Sequence, residues 1–365
     1  MSTGSAEVGR TAPAGGNTGP LRADTAPAAP SRAVLVERPG VHRLVEREVP
    51  VPGPGEVRVR VAAAGICLSD RELYEGRRAP GYVRYPVVPG HEWSGTVDAV
   101  GTGTDPALLG RACVAEGFRA CGRCERCRYG ETSLCTAGYA ETGFTEPGAF
   151  ADHLLVPARL VHPLPDGVDL RAAALLEPAA VVAAAVRAGR PRPGERIAVV
   201  GAGTLGLLAV QWLGASSPAE LAVVDPRADR AAQALAFGAH RALAPADADG
   251  GAGAFDLVVE TAGAPTTAAS SCLLARRGGR VVLTGMFSAG ATGIDPVHLS
   301  VSQLEIHSVF GASSAAWADA VRAFSLGLLD PGPLVTHEFP LDRFDEALAL
   351  VGGGDPGTGK VLLRP

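Results

Sequence analysis

Two rhythms of apolar residues divide the chain. Over residues 32–61 short strands are expected. Ala33-Val34-Leu35-Val36 is an apolar run, and Val57-Arg58-Val59-Arg60-Val61 alternates strictly, the period of a half-buried strand. Pro89-Gly90 and Gly101-Thr102-Gly103 punctuate the stretch up to Val114. This half reads as an antiparallel β domain rich in Gly and Pro. Near Leu170 the texture changes. Residues 170–188 are Ala-rich and predict a helix, which Arg190-Pro191-Arg192-Pro193-Gly194 ends. A buried strand over 196–200 leads into a helix through Leu213. Strands at 221–224, 257–259 and 280–283 then alternate with helices at 228–237 and near 265–275. That alternation specifies a parallel sheet with crossover helices, a doubly wound α/β fold. From about Ser314 the chain returns to a helix and closing strands, the last being Lys360-Val361-Leu362-Leu363.

Length and charge narrow the class without naming it. A chain of 365 residues accommodates two domains, since single cores stop growing at roughly 250–300 residues. A net charge of −5 argues against nucleic acid or an anionic membrane as partner. No apolar run approaches the ~20 residues of a membrane span. Residues 1–31 are mostly Gly, Ala, Thr, Ser and Pro, which predicts a disordered tail. The tail lacks the apolar segment of a secretion signal, so a cytoplasmic protein is expected.

The seven cysteines change the picture more. Cys121-x-x-Cys124-x-x-Cys127, followed by Cys135, packs four thiols into one short lobe, 117–136. Four thiolates there can close a tetrahedron around Zn²⁺ with no open position, which makes the metal structural. Arg123, Arg126 and Arg128 lie between them and offset the gathered negative charge. An iron–sulfur cluster fits the spacing poorly, and disulfides fit it less well.

Gly201-Ala202-Gly203-Thr204-Leu205-Gly206 stands between an expected strand and an expected helix. In that context the motif reads as a dinucleotide site. Gly201 permits the tight turn, Gly203 lets the backbone approach the pyrophosphate, and Gly206 allows close helix–strand packing. The helix N-terminus, with Leu205 in its first turn, then carries the phosphates. Asp225 ends the next strand, where an acid accepts the ribose hydroxyls and repels a 2′-phosphate. NAD is therefore favoured over NADP. Arg227 and Arg230 oppose that preference, because either reaches a 2′-phosphate if Asp225 turns away.

Gly65-Ile66-Cys67-Leu68-Ser69-Asp70 and Pro89-Gly90-His91-Glu92 carry the remaining chemistry. Taken alone, Cys67 is a small buried hydrophobe and His91 a turn residue. In this order, with the four-cysteine lobe and the nucleotide motif, the chain resembles the zinc-containing medium-chain dehydrogenases over residues 32–365. The resemblance implies a GroES-like β-rich catalytic domain (32–178, completed by 315–365) around a Rossmann coenzyme domain (179–314). It implies a catalytic zinc on Cys67 and His91, with Glu92 or Glu177 as the acid; Glu177-Pro178 is similar to the Glu-Pro of sorbitol, glucose and threonine dehydrogenases. Asp70 matches the carboxylate that orients the ligand histidine. Lys360 matches a basic residue that contacts the cofactor pyrophosphate. A Lewis-acid zinc, which takes the pKa of bound water from 15.7 to about 7, suits such chemistry. Ser69 then hydrogen-bonds the alcohol and accepts its proton, and the nicotinamide takes the hydride. Where the proton relay of alcohol dehydrogenases often ends in a histidine, this chain has Glu72, read as a solvated helix acid.

The expected reaction interconverts a secondary alcohol and a ketone. Pro333-Leu334-Val335-Thr336-His337-Glu338-Phe339-Pro340-Leu341 is similar to sorbitol-type polyol dehydrogenases. Tyr85 to Gly95 and Gly143-Phe144-Thr145 are similar to deoxy-scyllo-inosamine dehydrogenases. Both imply a polyol, cyclitol or aminocyclitol as small-molecule substrate. Gly311 stands where sorbitol dehydrogenases carry a substrate-side arginine. Trp93 and Phe118 either wall the pocket or merely pack. The alternatives are a threonine-type amino-alcohol dehydrogenase, a zinc-free reductase on the same fold, and a catalytically silent nucleotide-binding protein. Family resemblance implies a homodimer or homotetramer.

Overall fold

The strand Glu56–Ile66 is the spine of the catalytic half. Its sequence, EVRVRVAAAGI, alternates at first, so Val57, Val59 and Val61 face inward and are almost fully buried. Each such burial is worth about 1.5–3 kcal/mol. In this computed structural model, which describes residues 30–248, 252–287, 290–355 and 357–365, that strand lies inside a seven-stranded sheet. The order is Val335–Pro340, Lys360–Arg364, Glu56–Ile66, Glu92–Val100, Ala112–Ala115 and Val161–Pro163, with His153–Pro157 also paired to Glu56–Ile66. All pairs are antiparallel except one: Val335–Pro340 runs parallel to Lys360–Arg364. The helix Phe344–Leu350 lies between those two strands in the chain and reverses it once more.

Register decides what meets at the end of the spine. Gly65 is opposite Glu92, and Ile66 is opposite Val361. Cys67, Glu92 and Lys360 are therefore neighbours although the last two are 268 residues apart.

The coenzyme half is a six-stranded parallel sheet. Its order is Arg241–Leu243, Glu220–Val224, Arg196–Val200, Phe255–Glu260, Ala275–Leu283 and Glu305–Ser308. In chain order that is 3-2-1-4-5-6, the doubly wound arrangement in which a ligand crevice opens beside the first strand. Ile197 and Val199 pack on Leu207, Val210 and Leu213 of the helix Thr204–Gly214. The helices Leu176–Gly189 and Ser314–Ser325, which lie near the expected domain boundaries, share that core.

Two expectations need correction. The helix expected over 170–188 is two helices, Leu170–Ala173 and Leu176–Gly189. Pro178 explains the restart, because proline is tolerated in a first turn, where backbone donors have no intrahelical partner. Glu177 is thereby set in that first turn. The expected tail, 1–31, falls outside the described residues up to residue 29, but Ser31 is fully buried and begins the strand Ser31–Arg38. It pairs with Arg47 and its hydroxyl lies 3.1 Å from His153 Nδ1.

Candidate active site

Cys67 follows the spine strand directly and caps the helix Leu68–Tyr74. Asp70, in the first turn of that helix, is 1% exposed and uses both oxygens. Its Oδ2 accepts the backbone N–H of Cys67 at 2.8 Å. Its Oδ1 is 3.3 Å from His91 Nδ1 and accepts from Gly90 N at 3.3 Å. One carboxylate thus fixes the cysteine backbone and the imidazole ring together, leaving Nε2 as the outward nitrogen. The ligand-capable atoms of Cys67, His91 and Glu92 all lie within 4.8 Å of one another.

Charge is concentrated around this cluster. Burial lowers His91, but Asp70 and Cys67 outweigh it and raise the imidazole well above its ordinary value. Burial pushes Glu177 up to about 7, with Glu92 and Glu141 adding to the rise and His91 and Lys360 opposing it. Glu177 is outside the 4.8 Å set, within electrostatic reach of it. A thiol, an imidazole and several carboxyl groups crowded in a buried space make a donor set that suits Zn²⁺. Glu92 is held beside Cys67 and His91 by a buried ion pair, its Oε2 2.5 Å from Lys360 Nζ.

Lys360, expected by resemblance at the cofactor pyrophosphate, is tied to the metal-ligand cluster. It is 5% exposed and donates to Glu92 Oε1 at 2.7 Å and to the carbonyl of Ile66 at 3.4 Å. Sheet register puts it behind the metal cluster, where Glu92, Cys67 and Glu177 raise its pKa against the lowering effect of burial. Ser69 Oγ lies 3.5 Å from His91 Nε2, at the open side of the cluster. Glu72 pairs with Arg77 at 3.5 Å on the surface, as a solvated helix acid does.

The cysteine lobe closes as expected. The sulfurs of Cys121, Cys124, Cys127 and Cys135 lie within 4.8 Å of one another. Arg126 is not what prepares them, because it turns to Glu131 at 2.8 Å. Backbone N–H groups do so: those of Cys127 and Thr136 pull Cys124 down to about 5, and those of Arg123 and Cys124 lower Cys121. Desolvation and Cys124 push Cys127 up to about 12, so four thiolates together require a cation.

At the nucleotide turn Gly201 has φ +99°, and a Cβ at Gly206 would stand 1.9 Å from the carbonyl oxygen of Gly201. A Cβ at Gly203 would meet nothing within 4 Å. No protein atom therefore demands glycine at 203. The open space lies over the N-terminus of Thr204–Gly214, which carries no side-chain cap, and it fits a pyrophosphate. Leu205 sits in that first turn. Asp225 is buried, with Oδ2 accepting from Ala202 N at 2.8 Å and Oδ1 from Arg227 N at 2.9 Å. Arg227 Nε is 3.6 Å from the same carboxylate, and Arg230 donates to the carbonyl of Thr358.

Sequence reasoning missed Glu141 and Glu260. Glu260 is fully buried and accepts from Ala262 N, Gly263 N and the Thr267 hydroxyl, tying down the loops at the carboxyl end of the sheet. No motif marked either acid. Trp93, 3% exposed, belongs to the core with Ile66 and Phe150, so it packs rather than walls the site. Phe118 is partly exposed beside Tyr139 and Phe310.

A catalytic β-rich unit bearing two metal-ligand sets, joined to a doubly wound coenzyme unit, defines a zinc-type dehydrogenase. The chain belongs to the zinc-containing medium-chain dehydrogenase/reductase family: the alcohol dehydrogenase GroES-like domain matches residues 53–166 and the zinc-binding dehydrogenase domain residues 204–325. It is 31% identical to L-threonine 3-dehydrogenase of Bacillus subtilis over 345 residues, 91% of this chain and 98% of that protein. It is 33% identical to 2-dehydro-3-deoxy-L-galactonate 5-dehydrogenase of Pseudoalteromonas atlantica over 325 residues, 86% and 93% of the two chains. The structure of the alcohol dehydrogenase RspB from Escherichia coli CFT073, complexed with NADH, superposes with a TM-score of 0.86 at 30% identity, covering 93% of this chain and 100% of that one. The protein is an oxidoreductase of the zinc alcohol dehydrogenase type, acting on CH–OH groups of small molecules with a nicotinamide dinucleotide. No helix among the described residues is long and apolar enough to cross a membrane.

Proposed function

We propose that the chain oxidises a secondary alcohol on a polyhydroxylated or amino-substituted carbon frame, converting R₂CHOH and NAD⁺ to R₂C=O, NADH and H⁺, or runs the reverse. The carrying observation is the double use of Asp70, which locks Cys67 to His91 beside Glu92. When bound, zinc supplies a Lewis acid that makes the carbinol O–H acidic, and NAD⁺ supplies the hydride acceptor.

The chain's own residues do the rest. Cys67, His91 and Glu92 hold the metal, and Glu177 stands within reach as the alternative acid. Asp70 engages His91 Nδ1, so that Nε2 is the nitrogen that would bind the metal. Lys360 holds Glu92 in place. Ser69 Oγ, beside His91 Nε2, is placed to hydrogen-bond the carbinol and accept its proton. Gly201, Gly203, Leu205 and Gly206 form the pyrophosphate cradle. Asp225, fixed by two backbone donors, faces the ribose. Arg230 is turned to the carbonyl of Thr358, which with Asp225 favours NAD over NADP, whereas Arg227 stays beside Asp225 and opposes that preference. The same reading takes the enzyme to be a cytoplasmic homodimer or homotetramer.

The likeness to L-threonine 3-dehydrogenase favours a second reading, an acyclic amino alcohol such as threonine. Rates on inositols, aminoinositols, sorbitol and threonine, with NAD and with NADP, separate the two by the appearance of the reduced nicotinamide band. Chelation should abolish turnover and added zinc restore it. Turnover that survives with no metal bound would overturn the proposal.

A further inference from the structure

Asp70 holds His91 at one nitrogen, which does not by itself set the plane of the ring. A contact at Nδ1 fixes where that atom sits but leaves the imidazole free to turn about the line to the Asp70 oxygen, 3.3 Å away. The lone pair on Nε2 lies in the ring plane, so the plane decides where a metal would stand. A second contact comes from Phe144, 2% exposed, whose ring centre is 4.7 Å from that of His91 at an interplanar angle of 39°.

The turn that carries Phe144 is pressed against the ligand segment. Gly143 has φ +87°, and a Cβ there would stand 2.8 Å from the carbonyl carbon of Gly90 and 3.0 Å from His91 N. Gly148 N donates to Val88 O at 2.7 Å and Ala149 N to Gly90 O at 2.8 Å, so backbone and ring meet the histidine together. Arg78 holds the ring from a third segment. Its guanidinium carbon lies 3.7 Å from the Phe144 ring centre, and its side chain is 12% exposed. Arg78 Nε donates to the carbonyl of Tyr82 at 3.3 Å and Nη2 to the Tyr139 hydroxyl at 3.1 Å, with Glu141 Oε2 at 4.0 Å. The Tyr139 hydroxyl in turn donates to that carboxylate. Keeping a charge in so covered a place is costly, and an apolar side chain would fill the space more cheaply. What the guanidinium adds is attraction to the face of a ring, which grows as water is excluded.

We propose that Arg78 and Phe144 are positioning residues for the catalytic metal site: the guanidinium fixes the Phe144 ring, and the ring fixes the plane of the His91 imidazole. Their effect reaches the reaction through His91. Asp70 and Phe144 divide the work, one setting Nδ1 and the other the tilt. Glu141 and Tyr139 serve by holding Arg78 in place. This rests on the reading of Cys67, His91 and Glu92 as the catalytic metal site.

The test uses the holoenzyme with the metal of the Cys67 site exchanged for Co²⁺, whose visible bands follow ligand geometry. Bands that vanish in Cys67→Ala belong to that site. Phe144→Leu, which keeps an apolar side chain but no ring, should shift those bands and weaken metal binding by about tenfold. Arg78→Gln should do the same by about fivefold, and Arg78→Lys, which keeps the charge but not the flat face, by about twofold. Phe344→Leu is the control: its ring is as buried, 2% exposed, and packs on Phe150 and His42. It should lower the melting temperature while bands and affinity stay as in the wild type. Wild-type bands and affinity in either Phe144→Leu or Arg78→Gln, or an equal shift in Phe344→Leu, overturn the positioning role and leave the metal reading standing. If Phe144→Leu does not fold, the two Arg78 variants decide by the same measure. A wild type with no band that Cys67→Ala removes sinks the metal reading itself, and the positioning role with it.

Discussion

The cysteine lobe draws four sulfurs from one loop between Cys121 and Cys135, whereas the Cys67–His91–Glu92 cluster is gathered from the ends of two strands and a helix. The lobe is prepared by its own backbone, whose N–H groups stabilise thiolates. The catalytic cluster is prepared by distant side chains: Asp70 holds the histidine from 21 residues away, and Lys360 holds Glu92 from 268. A local site depends on the loop closing, while a distributed one depends on sheet register. In the proposed function the first serves the fold, and the second has Ser69 beside it for chemistry.

Substitutions should break the two sites differently. Cys67→Ala removes a ligand where the reaction occurs, and should lower kcat/KM by about three orders of magnitude or more with little change in melting temperature. Metal analysis should then find one zinc per chain; two would show that Cys67 is not a ligand. Cys124→Ser should also cost one zinc, but through stability. A loss of about 3 kcal/mol corresponds to a melting temperature lower by about 4 °C, with kcat largely kept in the fraction that stays folded. A lobe variant that melts normally yet is inactive would reverse the assignment of the two sites.

A smaller effect sharpens the role of distance. Asp70→Asn keeps the shape but weakens the hold on His91, and should reduce zinc affinity or activity by about 10- to 100-fold. An unchanged zinc titration would show that Asp70 only caps its helix. The smallest effect is on pH. Glu141 titrates at about 7 in the fold against an ordinary value of 4.5, so the folded chain holds its proton more tightly than the unfolded chain does. Its contribution to stability is full below pH 4.5 and is lost as pH rises to about 7. Glu141→Gln should flatten that part of the melting-temperature profile by a few degrees; an unchanged slope would place the titration elsewhere.

Legibility followed the same division. The four-cysteine spacing and the glycine motif between strand and helix are short-range patterns, and both folded as their spacing implied. Val57 to Val61 and the strand–helix alternation after Arg196 likewise fixed both sheets, because periodicity reports which face is buried. The pairing of Lys360 with Glu92 was not legible, because a basic residue's partner is set by the strand opposite, and Val361 lies opposite Ile66. The break at Ala174 and Leu175 was invisible in an Ala-rich run that favours helix throughout.

What the sequence determined by itself was the class of fold, the four-cysteine lobe and the nucleotide turn, since each is written in spacing within a few residues or in a repeating period. The Cys67–His91 set was implied by resemblance alone. Only the tertiary structure decided that Asp70 serves Cys67 and His91 at once, that Lys360 braces Glu92, and that Glu141 is buried between Tyr139 and Arg78. Those depend on which chain segments the sheets bring together, and on burial, which pushes an otherwise ordinary glutamate up to about 7.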